Sequence, residues 1–470
     1  MCGLAGLIDP RAEVSQAQLD KMIEPIAYRG PDGSGTLCLD DRRIGLGHRR
    51  LSILDTRAIG RQPMSTRCGR YTIVFNGEIY NYLELRQLLE EKGYGFKTET
   101  DTEVLLCAYA QWGERCLEQL IGMFAFALWD SQQKKLFAAR DRMGIKPFYY
   151  ATEGQKFFFA SEIKSILAVR QQQGVDHSLI DAYMSFGYVP GEKTLHQGIK
   201  KLLPGYYLTY TCEAGLKLTP YWDLDFSAPS TAPLSAHVES VDRLLSDSIR
   251  LRLRSDVPLG VFLSGGLDSS AVVSLLAPGA SSGLKTFSVA YDFGSDYDET
   301  PFARQVSTQF KTDHHETLMT PREFVDFIPQ YIWHMDEPVT EAAAISLYSV
   351  SQLAREHVVV CLSGEGSDEL FAGYDFYAYN LVLERMRRLF KPAGVKALAA
   401  FTRRLSRSRK LLKYLEMAEQ PLESRYKGIS SYEDTIKNRL YSSHFSHQAA
   451  AGNLELNSFF QHLFEKTLDW

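Results

Sequence analysis

A change of pattern near the middle of the chain constrains the fold most. The stretch Asp223-Leu224-Asp225-Phe226-Ser227-Ala228-Pro229-Ser230-Thr231-Ala232-Pro233 is rich in small residues and proline and reads as a linker, and the periodicity differs on its two sides. Before it lie short β-like runs closed by turn signals: 3–8, 44–48, 71–75, 123–129, 135–140, 157–161 and 206–210. Helical patterns intervene at 81–92, 102–112 and 161–168, so this half is expected to be α+β, with antiparallel sheets covered by helices. After the linker, apolar strands at 257–263, 285–291, 313–318 and 358–362 alternate with helices at 268–277, 299–310 and 341–356. That rhythm predicts an α/β doubly wound parallel sheet with extra helices. The chain of 470 residues, 45% hydrophobic, has apolar material for separate cores, and the expected division is 2–215, a linker at 216–236, and 237–470. There are no internal repeats.

Charge and cysteine usage narrow the partners. A net charge of -5 gives no general pull toward nucleic acid or anionic membranes, which leaves a small-molecule partner. Seven cysteines without a paired Cys-x-x-Cys spacing suit reduced thiols better than a disulfide framework. No apolar run reaches membrane-spanning length and the N-terminus lacks a signal-peptide pattern, so the expected location is the cytoplasm.

The N-terminus carries distinctive chemistry. In Met1-Cys2-Gly3-Leu4-Ala5-Gly6, removal of Met1 leaves a thiol and a free α-amine on Cys2. Such an amine has a pKa of roughly 7.7 to 8.0, so near neutrality a fraction can take the thiol proton, directly or through water. A cysteine second in the chain by chance is the bland alternative. Polar residues suited to amide hydrolysis follow. In Phe75-Asn76-Gly77-Glu78-Ile79-Tyr80-Asn81 a β-run ends in Asn-Gly, a turn signal that could set the Asn76 amide beside the Gly77 N–H as two oxyanion donors; taken alone, the dipeptide favours a plain hairpin turn. Arg50 offers a planar fork to a carboxylate, and Asp101 a carboxylate to an ammonium group or, alternatively, a helix cap.

The second half holds two strand-to-glycine-loop junctions. Val257 to Leu263 runs into Ser264-Gly265-Gly266-Leu267-Asp268-Ser269-Ser270 and then a helix, which makes an anion cradle for a phosphate chain, although the Lys-Ser/Thr of a Walker motif is missing. A simple turn and helix cap is the alternative. His357 to Leu362 ends in Ser363-Gly364-Glu365-Gly366-Ser367-Asp368-Glu369, and two such ends on one parallel sheet can converge at its carboxyl edge. Two further clusters invite weaker readings. His314 and His315 are strand neighbours that face opposite sides, so one metal cannot easily use both. The arginines and lysines of 385–413 read as the coat of an amphipathic helix rather than an RNA site.

Cys2-Gly3, Arg29-Gly30-Pro31-Asp32, His48-Arg49-Arg50-Leu51-Ser52-Ile53, Asn76 to Asn81 and Arg140-Asp141-Arg142-Met143-Gly144-Ile145-Lys146-Pro147 stand in the order and spacing of the class II glutamine amidotransferase domain. The Ser264 loop resembles the pyrophosphate loop of ATP pyrophosphatases, and the chain as a whole resembles the glutamine-hydrolysing asparagine synthetase family. The resemblance implies an N-terminal-nucleophile sandwich of antiparallel sheets in the first half. It further implies that Cys2 attacks the glutamine carboxamide, that Asn76 and Gly77 stabilise the oxyanion, and that Arg50, Glu78 and Asp101 hold the substrate. In the second half it implies that Ser264, Gly265, Gly266, Asp268, Ser269 and Ser270 contact ATP together with Leu263, Val289, Ser363 and Gly364. Asp268 and Asp368 would hold Mg2+, and Glu365 would be the general acid/base.

The reaction so implied forms asparagine from aspartate. Glutamine gives the nitrogen through a thioester at Cys2, ammonia crosses a dry passage, and a β-aspartyl-AMP is formed with release of pyrophosphate. The expected partners are glutamine, ATP and aspartate or another small carboxylate, with homodimerisation left open. The alternatives are an amide ligase for another carboxylate, as in polysaccharide, peptide or β-lactam biosynthesis, and a non-catalytic glutamine-binding or scaffold derivative. Residues 455–470 read as an apolar, helix-like end. The Lys-Val-Asp-Arg and Glu-x-Arg-x-Pro segments normal further on in the family do not occur, so either a truncation or a differently built acceptor pocket is expected.

Overall fold

The computed structural model describes residues 1–446 other than 172–173, 228–229, 280–282, 293–297, 338, 406–408, 421, 426–431, 433 and 444; the helix-like end at 455–470 lies outside the described residues. The strands are β1 (Gly3–Ile8), β2 (Gly33–Leu39), β3 (Ile44–Arg50), β4 (Met64–Ser65), β5 (Tyr71–Ile79), β6 (Gly122–Asp130), β7 (Lys135–Arg140) and β8 (Tyr149–Glu153). They continue with β9 (Lys156–Ala160), β10 (Ile199–Lys201), β11 (Tyr206–Thr211), β12 (Gly215–Pro220), β13 (Leu259–Phe262), β14 (Lys285–Tyr291), β15 (Asp313–Met319) and β16 (Val360–Leu362).

The first domain is a four-layer sandwich. Two antiparallel six-stranded sheets, ordered β10-β8-β9-β1-β3-β2 and β12-β11-β7-β6-β5-β4, lie face to face. Successive side chains of a strand alternate between faces, and here both faces are covered. Leu4 and Ile8 of β1 meet Val74, Ala125 and Ala127 of the other sheet between the layers. Ala5 and Leu7 point outward onto Leu19, Met22 and Ile23 of the helix Gln16–Ile23. On the far side Phe75, Phe124 and Phe126 pack against Val104, Leu105 and Ala108 of the helix Asp101–Trp112. This double cover is why β1 reads as an unbroken apolar run instead of an alternating one. β12 pairs with β11 as far as Pro220, so the first domain's sheet extends into the stretch 216–236 expected as linker. A helix already begins at Leu234.

The second domain carries a parallel four-stranded sheet ordered β15-β14-β13-β16. Its chain order steps outward from β13 and then returns to β13's other side, so the switch point falls between β13 and β16. A doubly wound sheet opens its ligand crevice at such a point, beyond the carboxyl ends of the strands. Helices at Leu267–Leu276, Thr300–Phe310 and Ala343–Arg355 make the crossovers. His314 and His315 do face opposite sides of β15: the first is within 2.9 Å of Thr286 Oγ1, and the second stacks on His357. The basic 385–413 stretch falls mainly on the helices Asp375–Leu405 and Arg409–Glu419, which bury Leu383, Val395 and Ala418 against each other. Among the described residues no helix is long and apolar enough to cross a membrane.

Candidate active site at the domain junction

Cys2 lies just ahead of β1, beside the carboxyl end of β3, where Gly3 pairs with Arg49. Its Sγ accepts the backbone N–H of Leu51 at 3.4 Å, and Arg29 Nε donates to its carbonyl at 2.9 Å. Burial pushes the thiol up, while the Leu51 N–H pulls it down. The α-amine, here on Met1, is held at about 5 by burial.

The Asn76-Gly77 pair is not a turn, contrary to the reading from the dipeptide. β5 runs on to Ile79, with Asn76 opposite Ala125 and Gly77 opposite Phe124 of β6. The glycine is required by close approach: a Cβ on Gly77 would stand 2.2 Å from the carbonyl oxygen of Met123. Both expected donors nevertheless reach the same space. Alternation puts Asn76 and Glu78 on the face of Val74, which looks toward the first sheet. β4 pairs with β5 only at Thr72 and Ile73, so the rest of that edge of β5 is open. On it the Phe75 N–H goes to Gln62 Oε1 at 2.6 Å and the Ile79 N–H to Asp101 Oδ2 at 2.9 Å. Gly77 sits between these two, on the wall of the cavity.

Asn76 is 1% exposed, and among the described residues neither its Oδ1 nor its Nδ2 has a hydrogen-bond partner. A buried amide left in that state costs on the order of 1–3 kcal/mol per unsatisfied group, a cost that a bound ligand would remove. Burial drives the neighbouring carboxyls up, Glu78 to about 7 and Asp101 to about 6. Arg50 is engaged by its own loop: Nη1 donates to Arg57 O at 2.9 Å, and Nη2 to Leu54 O at 3.2 Å and Asp55 O at 2.6 Å. Its guanidinium therefore shapes the 51–57 loop as well as lining the cavity. The Asp55 N–H is in turn held by Asp256 of the second domain at 2.7 Å.

These groups surround one cavity of about 410 Å³ that continues beyond the first domain. Phe262 at the end of β13, Val360 and Cys361 of β16, and Ala354, Arg355 and Val358 complete its wall. Sequence reasoning missed these residues, because apolar strand and helix positions carry no local signal for lining a passage. It also missed Lys146. The Asp141 carboxylate gathers the N–H groups of Phe124, Ile145 and Lys146 at 3.1, 2.9 and 2.9 Å, and this turn sets the Lys146 side chain into the cavity.

On the parallel sheet, β13 pairs with β16 through Val261 opposite Leu362, so the two glycine-containing loops leave neighbouring strands side by side. Leu263 is buried, and its N–H donates to Phe287 O at 2.8 Å; Val289 follows on β14. Gly266 begins the helix Leu267–Leu276 with no side-chain cap on its first turn. Ser270 Oγ turns back to Gly266 O at 2.7 Å, and Ser264 Oγ contacts Ser269 Oγ at 3.1 Å. Uncapped first-turn N–H groups at a helix start suit a phosphate. The second loop touches the first: a Cβ on Gly364 would lie 2.8 Å from the backbone nitrogen of Ser269. Asp268 and Asp368 are half-buried on these adjoining loops, while Ser363 and Glu365 are exposed. Two carboxylates beside a phosphate cradle fit the hard-oxygen donors that Mg2+ takes when phosphates supply the rest.

Residues 1–222 match the glutamine amidotransferase domain family and residues 240–464 the asparagine synthase family. Asparagine synthetase (glutamine-hydrolysing) 1 of Bacillus subtilis strain 168 is 38% identical over 449 residues, spanning 94% of this chain and 69% of that protein. Asparagine synthetase (glutamine-hydrolysing) 3 of the same organism is 36% identical over 80% of this chain and 64% of its own length. Amidase chry2 of Gibberella zeae is 32% identical over 78% of this chain and 57% of its own. With both halves matched in order and two thirds of a 38% identical relative covered, the chain belongs to the glutamine-hydrolysing asparagine synthetase family.

Proposed function

We propose that the protein is a cytoplasmic asparagine synthetase that takes nitrogen from glutamine and drives amide formation with ATP. The observation that carries this reading is the single cavity joining Cys2, Asn76 and Asp101 to Phe262, Val360 and Cys361 beneath the two loops of the parallel sheet. In the first half-reaction the α-amine freed on Cys2 takes the thiol proton and Sγ attacks the carboxamide carbon. The oxyanion meets the Asn76 amide and the Gly77 N–H. Collapse expels ammonia and leaves a glutamyl thioester, which water hydrolyses to glutamate. Glu78 and Asp101 hold the substrate ammonium, and Arg50 its carboxylate.

In the second half-reaction ATP lies on the Ser264 to Ser270 loop, against Leu263, Val289, Ser363 and Gly364. Asp268 and Asp368 would hold the magnesium ion that neutralises the phosphates. An acceptor carboxylate oxygen attacks the α-phosphorus and pyrophosphate leaves. Ammonia arriving along the cavity attacks the acyl carbon, Glu365 takes a proton, and AMP leaves. The apolar part of the wall, at Phe262, Ala354, Val358 and Val360, favours ammonia over ammonium, because an uncompensated charge is costly to bury.

Aspartate is the acceptor favoured by the relatives' names. A ligase acting on another carboxylate is the second reading, supported by the match to a protein named an amidase. The test is product analysis with glutamine, aspartate and Mg-ATP. Asparagine, glutamate, AMP and pyrophosphate in equal amounts are expected, whereas pyrophosphate exchange only with other acids would overturn aspartate.

A further inference from the structure

The backbone of Cys2 is tied to the second domain by a line of buried charges. Arg29, whose Nε donates to Cys2 O, also donates through Nη1 to Glu162 Oε1 at 2.7 Å, and the two side chains are only 8% and 7% exposed. Tyr28 Oη donates to the same carboxylate at 2.6 Å. Lys164 Nζ reaches Glu162 Oε2 at 2.5 Å and Asp336 Oδ1 at 3.0 Å. Charge alternates along this line, which runs from the nucleophile's carbonyl to the end of the helix Pro321–Met335. Asp336 is fixed at both ends of its side chain, because its Oδ2 accepts the N–H groups of Ile163 at 2.7 Å and Lys164 at 3.3 Å. It adopts φ +58, a strained conformation for aspartate that persists only where its surroundings hold it.

The segment that follows is clamped to the first domain as well. Glu337 Oε1 accepts the Leu195 N–H at 2.5 Å, and the Thr340 N–H donates to Gly187 O at 3.0 Å. Just past the second glycine loop, Tyr374 Oη donates to Glu369 Oε1 at 2.7 Å. That phenol is pushed up chiefly by its hydrogen bond to Glu369, with smaller contributions from Asp368 and Glu341. An ordinary domain contact needs no such line, since apolar residues of similar volume usually serve as well as buried ion pairs. Its position suggests a use: the Cys2 thiol keeps its Leu51 N–H only while the Cys2 backbone stays in place.

We propose that Lys164 and Asp336 are positioning residues for the nucleophile, acting through Glu162 and Arg29, so that the second domain supplies part of what holds Cys2 against Leu51. This rests on reading Cys2 as the glutaminase nucleophile. Without the line, the Cys2 backbone drifts, its sulfur loses the N–H that pulls its pKa down, and the thiolate fraction falls. Neither residue lines the glutamine cavity, so substrate binding is spared.

The test compares the full-length wild type with Lys164→Met, Lys164→Arg and Asp336→Asn. Asp336→Asn keeps an oxygen for the Ile163 N–H and carries the test if Lys164→Met fails to fold. Iodoacetamide labelling of Cys2 is followed by mass spectrometry, with exposed Cys68 as the internal reference. Glutamate release is measured in parallel. Lys164→Met and Asp336→Asn are expected to slow Cys2 labelling about tenfold relative to Cys68 and to lower kcat for glutamine by a similar factor, with KM within about twofold. Lys164→Arg should recover most of both. Labelling of Cys2 at the wild-type rate in Lys164→Met or Asp336→Asn overturns the inference. Slowed labelling with no glutamate from the wild type keeps the tie between Lys164, Asp336 and the position of Cys2 and defeats the glutaminase reading on which its catalytic meaning rests.

Discussion

The sulfur of Cys2 lies 3.4 Å from the backbone nitrogen of Leu51, so the residue after β3 supplies a hydrogen bond that favours the thiolate. In the proposed mechanism the base is the amine at the chain terminus. While Met1 remains, the Cys2 nitrogen is an amide and can accept no proton, and Met1 itself occupies the cavity wall. Active protein should therefore have an intact mass lacking Met1. A form with an uncleaved extension before Cys2, like Cys2→Ala, should release glutamate at below about one thousandth of the wild-type rate. Amide formation from added ammonium should persist in both, because the second domain keeps its own site.

The fold was legible where both faces of a strand are covered or a glycine loop follows an apolar run. β1, β7 and β14 begin and end where the sequence places them. Asn76-Gly77 misled because the dipeptide favours a hairpin, yet nine successive pairs between β5 and β6 override that local preference. Arg50 was legible as a cavity residue but not as the brace of its own loop, since backbone carbonyl partners leave no trace in side-chain pattern. The helix Asp375–Leu405 hides its length behind Pro392 and a kink at Lys391. The second domain's share of the cavity wall was invisible, for Ala354, Val358 and Cys361 look like any other apolar positions.

Asn76 can be separated from its scaffold. Its side chain makes no hydrogen bond among the described residues, so Asn76→Ala removes an orphaned polar group and leaves only a small void. The two effects on stability oppose one another, and the melting temperature should change little. Loss of an oxyanion donor should lower kcat for glutamine by about 100- to 1,000-fold. A large drop in melting temperature with kcat retained would mean that Asn76 is structural.

Gly77→Ala makes the contrasting case. The new methyl would meet the Met123 carbonyl at 2.2 Å, and neither β5 nor β6 can retreat from a ladder buried on both faces. Destabilisation of about 2–4 kcal/mol is expected, together with loss of glutamine hydrolysis. Denaturant unfolding set beside the Asn76→Ala result gives the comparison.

Acidity should act on the glutamine site with a definite sign. Burial holds Glu78 at about 7 and Asp101 at about 6, and in the proposed binding mode both must ionise to take a substrate ammonium. The kcat/KM for glutamine should therefore fall as pH drops from about 8 to about 6, and Asp101→Asn should cost about 10- to 100-fold at the upper end through KM. Stability runs the other way. Both folded pKa values are raised, so the native state binds more protons than the unfolded chain between the two sets of values, and stability is lost as pH rises through about 6 to 7. Asp101→Asn should melt above the wild type at pH values above about 7, with the difference gone near pH values of about 4. Wild-type and variant melting curves across that range decide it.

The two loops of the parallel sheet can be wedged apart without touching the first domain. Gly364 abuts the helix start, where a Cβ would lie 2.8 Å from the backbone nitrogen of Ser269 and 2.9 Å from the Asp268 side chain. An added methyl must push the second loop from the first, which separates Asp268 from Asp368 and spoils the cradle for the phosphates. Gly364→Ala should lower ATP-pyrophosphate exchange by about 100-fold or more, because charge stabilisation at phosphorus tolerates little misplacement. Glutamine hydrolysis should stay within a factor of about three, since none of its proposed residues lies on either loop. If exchange survives Gly364→Ala, the nucleotide does not sit between these loops, and the assignment of Asp268 and Asp368 to one metal ion fails with it.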